Sequence, residues 1–365
     1  MKRRNGEIEL MRFLLAIGIV VFHFEGRYSN SGIFRCGYIA VEFFFVLTGY
    51  LMARTARKAL DQGAGNDIPS STWRFTFGKL KTFYRYYFFG ILAQILIKDI
   101  IVQHESFGDL VRSIVRSGPT FTLTFYTLTW PDVSLYIGST WFLSAMILCM
   151  FVLYPIILKN FDRAVKIIMP IIFVFTAGYV LHEFKSLHNV KVWSDWFYSG
   201  IPKTFAEIAL GAACYYIPEK INYIRNEVFI SQKLADVLFT IVKWVSIVVV
   251  FLYSLGVSKK TYDLECLVLS AVFISISFSE AGYRIQGNRL TDLLGKLSLP
   301  LFIFHKVILN TLMSIKPCKP LPNTKYLILI VLTLVTCIIM KYVTDFICNC
   351  LGRLSSKVFR TIKQQ

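Results

Sequence analysis

Ten apolar runs separated by clusters of charge constrain this 365-residue chain more than any other feature. They lie near residues 10–24, 38–53, 83–103, 140–158, 167–183, 200–217, 236–255, 263–279, 298–314 and 326–350. A straight crossing of the hydrocarbon core needs about 20 residues, so the shorter runs must extend into their flanks. The chain is 55% hydrophobic and 17% charged, with a mean hydropathy of +0.56, far above a soluble domain. The expected fold is all-α: a polytopic membrane helix bundle of about ten transmembrane helices, forming a single domain over residues 1–365.

The distribution of charge orients that bundle. Arg54, Arg57, Lys58, Arg74, Lys79 and Lys81 follow the second run, and Lys159, Arg163 and Lys166 follow the fourth. Arg284, Arg289 and Lys296 follow the eighth, while Arg353, Lys357, Arg360 and Lys363 close the chain. Basic clusters after even-numbered runs place both termini in the cytoplasm, in a multi-pass protein of the cytoplasmic membrane. The formal charge of +18 then reflects cytoplasmic loops that meet anionic membrane lipids, and nucleic acid is excluded as a partner.

Other features narrow the reading. Lys2, Arg3 and Arg4 before an apolar run imitate a secretion signal, but Glu7, Glu9 and Arg12 interrupt it and no small-residue cleavage site follows. The first run is therefore expected to stay as a helix. The eight cysteines include no C-x-x-C pair, so neither a metal site nor a disulfide framework is expected. Cys36 and Cys318 both fall in outer loops and are expected to stay unpaired. "GPTFTLTFYTLTW" (Gly118 to Trp130) is apolar, yet a full crossing there would invert every later loop, so it is expected to be re-entrant or to lie on the outer surface. Residues 184–199 read as another outer loop, with Trp and Tyr suited to the interface. No internal repeat is visible.

Ionisable groups within apolar runs are costly and call for a reason. Arg12 and His23 are eleven residues apart, which is three turns plus about 20°, so they share a helix face roughly 16 Å apart along the axis. Glu9 extends the same stripe. Against this, Arg12 could snorkel to the inner headgroups while His23 sits at the outer interface. Glu42 opens the second run in "EFFFVLTGYLM", at the depth expected for His23. A carboxylate beside an imidazole fixes its tautomer and raises its basicity, so Glu42 is the expected partner of a His23 general base. The competing role for Glu42 is to offset a helix dipole. Lys81 and Arg85 are four residues apart and share a helix face in the basic segment "WRFTFGKLKTFYRYY", which suits phosphate binding as well as topology. His305 lines a chamber or packs as a satisfied histidine. Glu207 is a buried carboxylate with no partner evident. Trp141 stacks on a sugar or, in the preferred reading, anchors the outer interface.

The motifs resemble those of a known family. "IELMRFLLAIGIVVFHF" resembles the opening signature of the acyltransferase 3 family of integral membrane proteins, in which an Arg and a His flank ten residues of the first helix. "GYIAVEFFFVLTGYLM" resembles its second-helix motif, with Thr48 where Ser is usual. "STWFLSAMILCMFVLYP" resembles a third block in its Trp-Phe-Leu variant, with Met146 where a related variant carries Glu. "GKLSLPLFIFH" (Gly295 to His305) resembles the last block. The four occur in family order and span nearly the whole chain.

This resemblance implies transfer of an acyl group, usually acetyl, from acyl-CoA to a carbohydrate hydroxyl, without a metal. His23 would act on the hydroxyl or carry the acyl group, with Arg12 assisting on the donor side and Lys79, Lys81 and Arg85 available to the coenzyme A phosphates. The expected partners are acetyl-CoA or another acyl-CoA, and a surface polysaccharide or lipid-linked glycan. The alternative is a glycan or lipid transporter, in which the same polar stripe would be a substrate pathway.

Overall fold

The computed structural model describes residues 4–116, 118, 141–188, 192–194, 197–256, 262–315 and 318–362. Among them the regular structure is entirely helical, with two isolated bridges, Glu25 to Ser29 and Trp193 to Tyr198. The helices are α1 Gly6–Phe24, α2 Ile39–Leu60, α3 Ile68–Ala93 (continued by a π-helical stretch, Gln94–Val102), α4 Phe107–Arg116, α5 Trp141–Lys159 and α6 Phe161–Phe184. They continue as α7 Gly200–Ala213, α8 Ile217–Tyr223, α9 Gln232–Ser254, α10 Asp263–Phe278, α11 Arg289–Ile315 and α12 Asn323–Ile362.

All ten apolar runs fall in helices. Among the described residues six helices, namely α2, α5, α6, α9, α11 and α12, are long and apolar enough to cross a membrane by themselves. The chain is a membrane protein. In α1 three charges lie among 19 residues, and α7 and α10 have only 14 and 16 residues. The segment expected to be re-entrant lies outside the described residues from position 119 onward.

Local chemistry sets the helix ends. Asn5 caps α1 by accepting from the Glu7 and Ile8 amides, and Glu7 and Glu9 in the first turn complement the helix dipole. Asp67 caps α3 through the Ser70 amide, with Pro69 in the first turn. Pro300 within α11 removes one helical donor five residues before His305.

Burial sorts the helices into layers. Most of the apolar stretch of α2 and α5 is buried, whereas α6, α9 and α12 turn stripes of Val174, Phe175, Val245, Leu252, Leu327 and Leu332 outward. Such stripes suit lipid tails. Between α2 and α7 the backbones nearly touch. A Cβ on Gly49 would collide with the Ile208 carbonyl, and one on Gly211 with the Val46 carbonyl. Small residues are how helices gain dispersion contact where lipid removes the hydrophobic drive.

Side-chain contacts fix the helix directions. Phe45 meets Trp141 and Phe142, and Thr48 meets Met146, so α2 and α5 run parallel. Glu42 meets Lys203 at one end and Gly49 meets Ile208 further along, so α7 runs the same way. Tyr38 meets Asp263, Phe43 meets Phe273 and Tyr50 meets Phe278, which adds α10. Glu9 lies against Gly295 and His23 against His305, so α1 and α11 are parallel. Tyr86 meets Phe304 and Gln94 meets Asn310, which aligns α3 with α11. By contrast, the start of α12 lies at the His23 end of α1, where Tyr326 donates to the Val21 carbonyl.

Candidate functional site

The site is assembled from α1 and α11. His23 lies in the last turn of α1, where its Nδ1 is 2.9 Å from the Ile19 carbonyl. His305 is fully buried in α11, with its Nδ1 2.8 Å from the Leu301 carbonyl. Both contacts reach back one helical turn, the geometry a helical side chain favours. The two rings are tilted by 35° with centroids 5.0 Å apart, Nε2 of His305 lying 3.1 Å from Nδ1 of His23. The pair joins residues 282 positions apart.

These contacts assign the protons. A carbonyl only accepts, so each Nδ1 carries hydrogen. Neutral His305 then presents a bare Nε2, which accepts from His23 Nδ1–H alongside Ile19. That leaves the Nε2 lone pair of His23 uncommitted, as a general base requires. His23 is partly exposed while His305 is not, so the uncommitted nitrogen belongs to the less buried ring. Arg27 closes the end of α1 by donating to the His23 carbonyl at 2.8 Å. Lys306 follows His305 on α11, within electrostatic reach of both rings.

Glu42 is not the partner of His23. It is fully buried and accepts from Lys203 at 2.5 Å, and Lys203 also lies 3.7 Å from Glu207. The structure therefore supplies the partner that Glu207 lacked in the sequence, and it diverts Glu42 to the same cation. Two carboxylates share one ammonium, and Oε2 of Glu42 has no hydrogen-bond partner among the described residues. Trp141 covers this cluster, with the Lys203 ammonium 5.7 Å above its ring. Trp141 is itself mostly buried, at 8% exposure. It sits at the start of α5, against Phe45.

The donor-side residues separate as well. Arg12 pairs with Glu9 at 2.9 Å, and Glu9 also takes Arg4 at 3.6 Å. Lys79 lies within electrostatic reach of Arg12 and packs over the Phe75 ring. Arg85 turns away: it donates to the Tyr86 hydroxyl at 2.7 Å and lies 3.7 Å from Asp345 of α12. Lys81 is exposed on the same face as Arg85. Residues two apart on a helix point in nearly opposite directions, so Lys79 and Lys81 cannot serve one ligand together. The structure thus groups Lys79 with Arg12 and binds Arg85 to the last helix.

Two further buried clusters escaped the sequence. Lys243 donates to Glu7 and to the Tyr283 carbonyl, each at 2.7 Å, tying α1 to α9. Asp263 accepts from the hydroxyls of Tyr38, Tyr253 and Ser186 and from the Leu187 amide, which gathers α2, α9, α10 and the loop after α6. A lone Lys in the run 236–255 and an Asp opening the run 263–279 were the available signals. A groove of about 890 Å³ between α3 and α5 is mainly apolar and lies apart from these clusters, lined in part by Trp73, Phe77, Phe151 and Pro155. Among the described residues no cluster of side chains could hold a metal ion.

The sequence model of a protein family described as an acyltransferase domain matches residues 5–342, nearly the whole chain. No curated protein and no solved structure matches the chain.

Proposed function

The chain belongs to this acyltransferase 3 family, and we propose that it works as an O-acyltransferase in the cytoplasmic membrane. The reaction moves an acyl group, acetyl in our reading, from acyl-CoA to a hydroxyl of a surface polysaccharide or lipid-linked glycan. The hydrogen-bonded pair of His23 and His305 carries the proposal, because it leaves one imidazole nitrogen uncommitted to take a proton.

Nε2 of His23 removes the proton from the acceptor hydroxyl as its oxygen attacks the thioester carbonyl. The carbon–sulfur bond then breaks, and the imidazolium returns the proton to the leaving thiolate. His305 acts through His23 by accepting from Nδ1–H, which holds the ring and stabilises its charged form. Arg12 lies about three turns from His23 along α1, too far to touch the reacting carbonyl. Together with Lys79 it receives the phosphates of the donor, whose extended arm delivers the thioester to His23.

Ten crossings with both termini in the cytoplasm suit this reaction. The contacts above make α2, α5, α7 and α10 parallel to one another, and they hold the second, fourth, sixth and eighth apolar runs. Alternate crossing requires that pattern. In this proposed orientation, which rests on the basic clusters, His23 lies toward the outer surface and Arg12 toward the cytoplasm, where acyl-CoA is made.

Purified protein in detergent should release free thiol from acetyl-CoA, and the release should stop in His23→Ala. Surface glycans from cells lacking the gene should lose an acyl mass that returns on complementation. A glycan mass profile identical with and without the gene would refute the acceptor class, and acetyl-CoA left intact by folded protein would refute the donor.

A further inference from the structure

A pocket of about 320 Å³ lies just beyond His23, between the end of α1 and the loop that leads to α2. It is lined by Phe22, Glu25, Gly26, Ser29, Asn30 and Arg35. This size sits at the lower end of small-molecule sites, enough for about one sugar unit. Four of its six lining residues, Glu25, Ser29, Asn30 and Arg35, carry polar or charged side chains, and one, Phe22, is a ring. That ring, Phe22, packs at 5.1 Å against His23 itself, so an occupant resting on Phe22 would lie beside the base.

The pocket is built rather than incidental. Glu25 accepts from the Gly32 amide at 2.7 Å and from the Ser31 hydroxyl at 3.2 Å, which folds the loop over the helix end. The Phe34 amide donates to the Leu255 carbonyl at 2.8 Å. Gly256, at φ +87°, allows the end of α9 to pack directly on the Arg35 backbone, where a Cβ would come within 2.7 Å. These contacts hold the backbone of Arg35 while its side chain stays exposed. Its guanidinium has no ion-pair partner among the described residues, and both Glu25 oxygens are already engaged by the loop.

We infer that this pocket binds the acceptor as an anionic sugar unit. Phe22 takes the apolar face of the ring, Asn30 hydrogen-bonds to its hydroxyls, and Arg35 pairs with a carboxylate or phosphate on the glycan. A guanidinium fork matches either anion. The assignment rests on the glycan acceptor proposed above. It adds charge as the basis of selection.

The test is direct binding of three probes to the full-length protein in detergent: methyl β-glucuronide, glucose 1-phosphate and methyl β-glucoside. At least one anionic probe should bind about tenfold more tightly than the neutral one, because a charge-assisted contact is at stake. The better anion identifies a carboxylate or a phosphate glycan. Arg35→Ala should abolish the preference, Arg35→Lys should keep part of it, and Arg35→Glu should reverse it. Equal binding of charged and neutral probes, binding of none, or a preference that survives Arg35→Ala would overturn the inference. Thiol release from acetyl-CoA by the wild type is read separately. Selective sugar binding without thiol release would refute acyl transfer while supporting the pocket, and release with no sugar selectivity would refute the pocket alone.

Discussion

Replacing His305 separates the holding of a base from the base itself. In the wild type, His23 Nδ1–H has two acceptors, the Ile19 carbonyl at 2.9 Å and His305 Nε2 at 3.1 Å. His305→Phe removes the second and leaves the first, so the tautomer survives. The lost bond is a neutral one in the ground state, worth about 0.5–1.5 kcal/mol. It is charge-assisted once His23 is an imidazolium, worth about 1.5–3 kcal/mol. The difference, roughly 1–1.5 kcal/mol, predicts a loss in kcat of about tenfold. The donor KM should hold, since no donor contact changes. His305→Gln places an amide oxygen where it can accept, and its kcat should lie between the two. His23→Ala should cost about 10² to 10⁴-fold, and the double variant should be no worse, because the partner acts only through the base. Steady-state thiol release, on protein shown to be monodisperse by size exclusion, measures all four. A folded His305→Phe enzyme with full kcat, or one as inactive as His23→Ala, would refute the assignment.

Three other outcomes follow from the clusters around this pair. Lys203→Met leaves two buried carboxylates without their cation and should lower unfolding stability in detergent by about 3–5 kcal/mol, whereas the triple variant Glu42→Gln, Lys203→Met, Glu207→Gln should recover most of it; a triple variant no more stable than the single one would count against the cluster. Arg12→Ala or Lys79→Ala should raise the donor KM roughly tenfold, while Lys81→Ala should move it by about twofold at most. Equal effects at Lys79 and Lys81 would contradict the grouping of Lys79 with Arg12. Cysteines placed at Lys58 and Arg289 in a background freed of native cysteines should resist an impermeant reagent added outside, and one at Lys319 should react; labelling at position 58 or 289 would overturn the proposed orientation.

Hydropathy alone located every helix that carries the site, because apolar runs of this length report burial in lipid whatever their neighbours. The spans themselves were legible. The partners were not. His23 and Glu42 are close in sequence and similar in depth, which made them a natural pair, yet Lys203 competes for Glu42 with a full charge and wins. The true neighbour of His23 comes from α11, and periodicity within one helix cannot reveal which other helix faces it. Arg85 misled for a related reason. Its helix face was read correctly, but Asp345, which binds it, lies 260 positions away on α12.

The pattern of buried polar pairs has a physical logic. Glu42 with Lys203 joins α2 to α7, Glu7 with Lys243 joins α1 to α9, and His23 with His305 joins α1 to α11. None of these helix pairs is consecutive in the chain. Short loops make consecutive helices antiparallel neighbours without further instruction, but nothing in the loops tells α1 to lie beside α11. Apolar side chains cannot supply that instruction either, because lipid competes with them on nearly equal terms. A charge or imidazole in hydrocarbon can, since every wrong neighbour leaves it unpaired at a cost of several kcal/mol. The ion pairs at Lys203 and Lys243 thus specify which helices meet, and the His23–His305 contact that the chemistry needs forms where that arrangement brings α1 against α11.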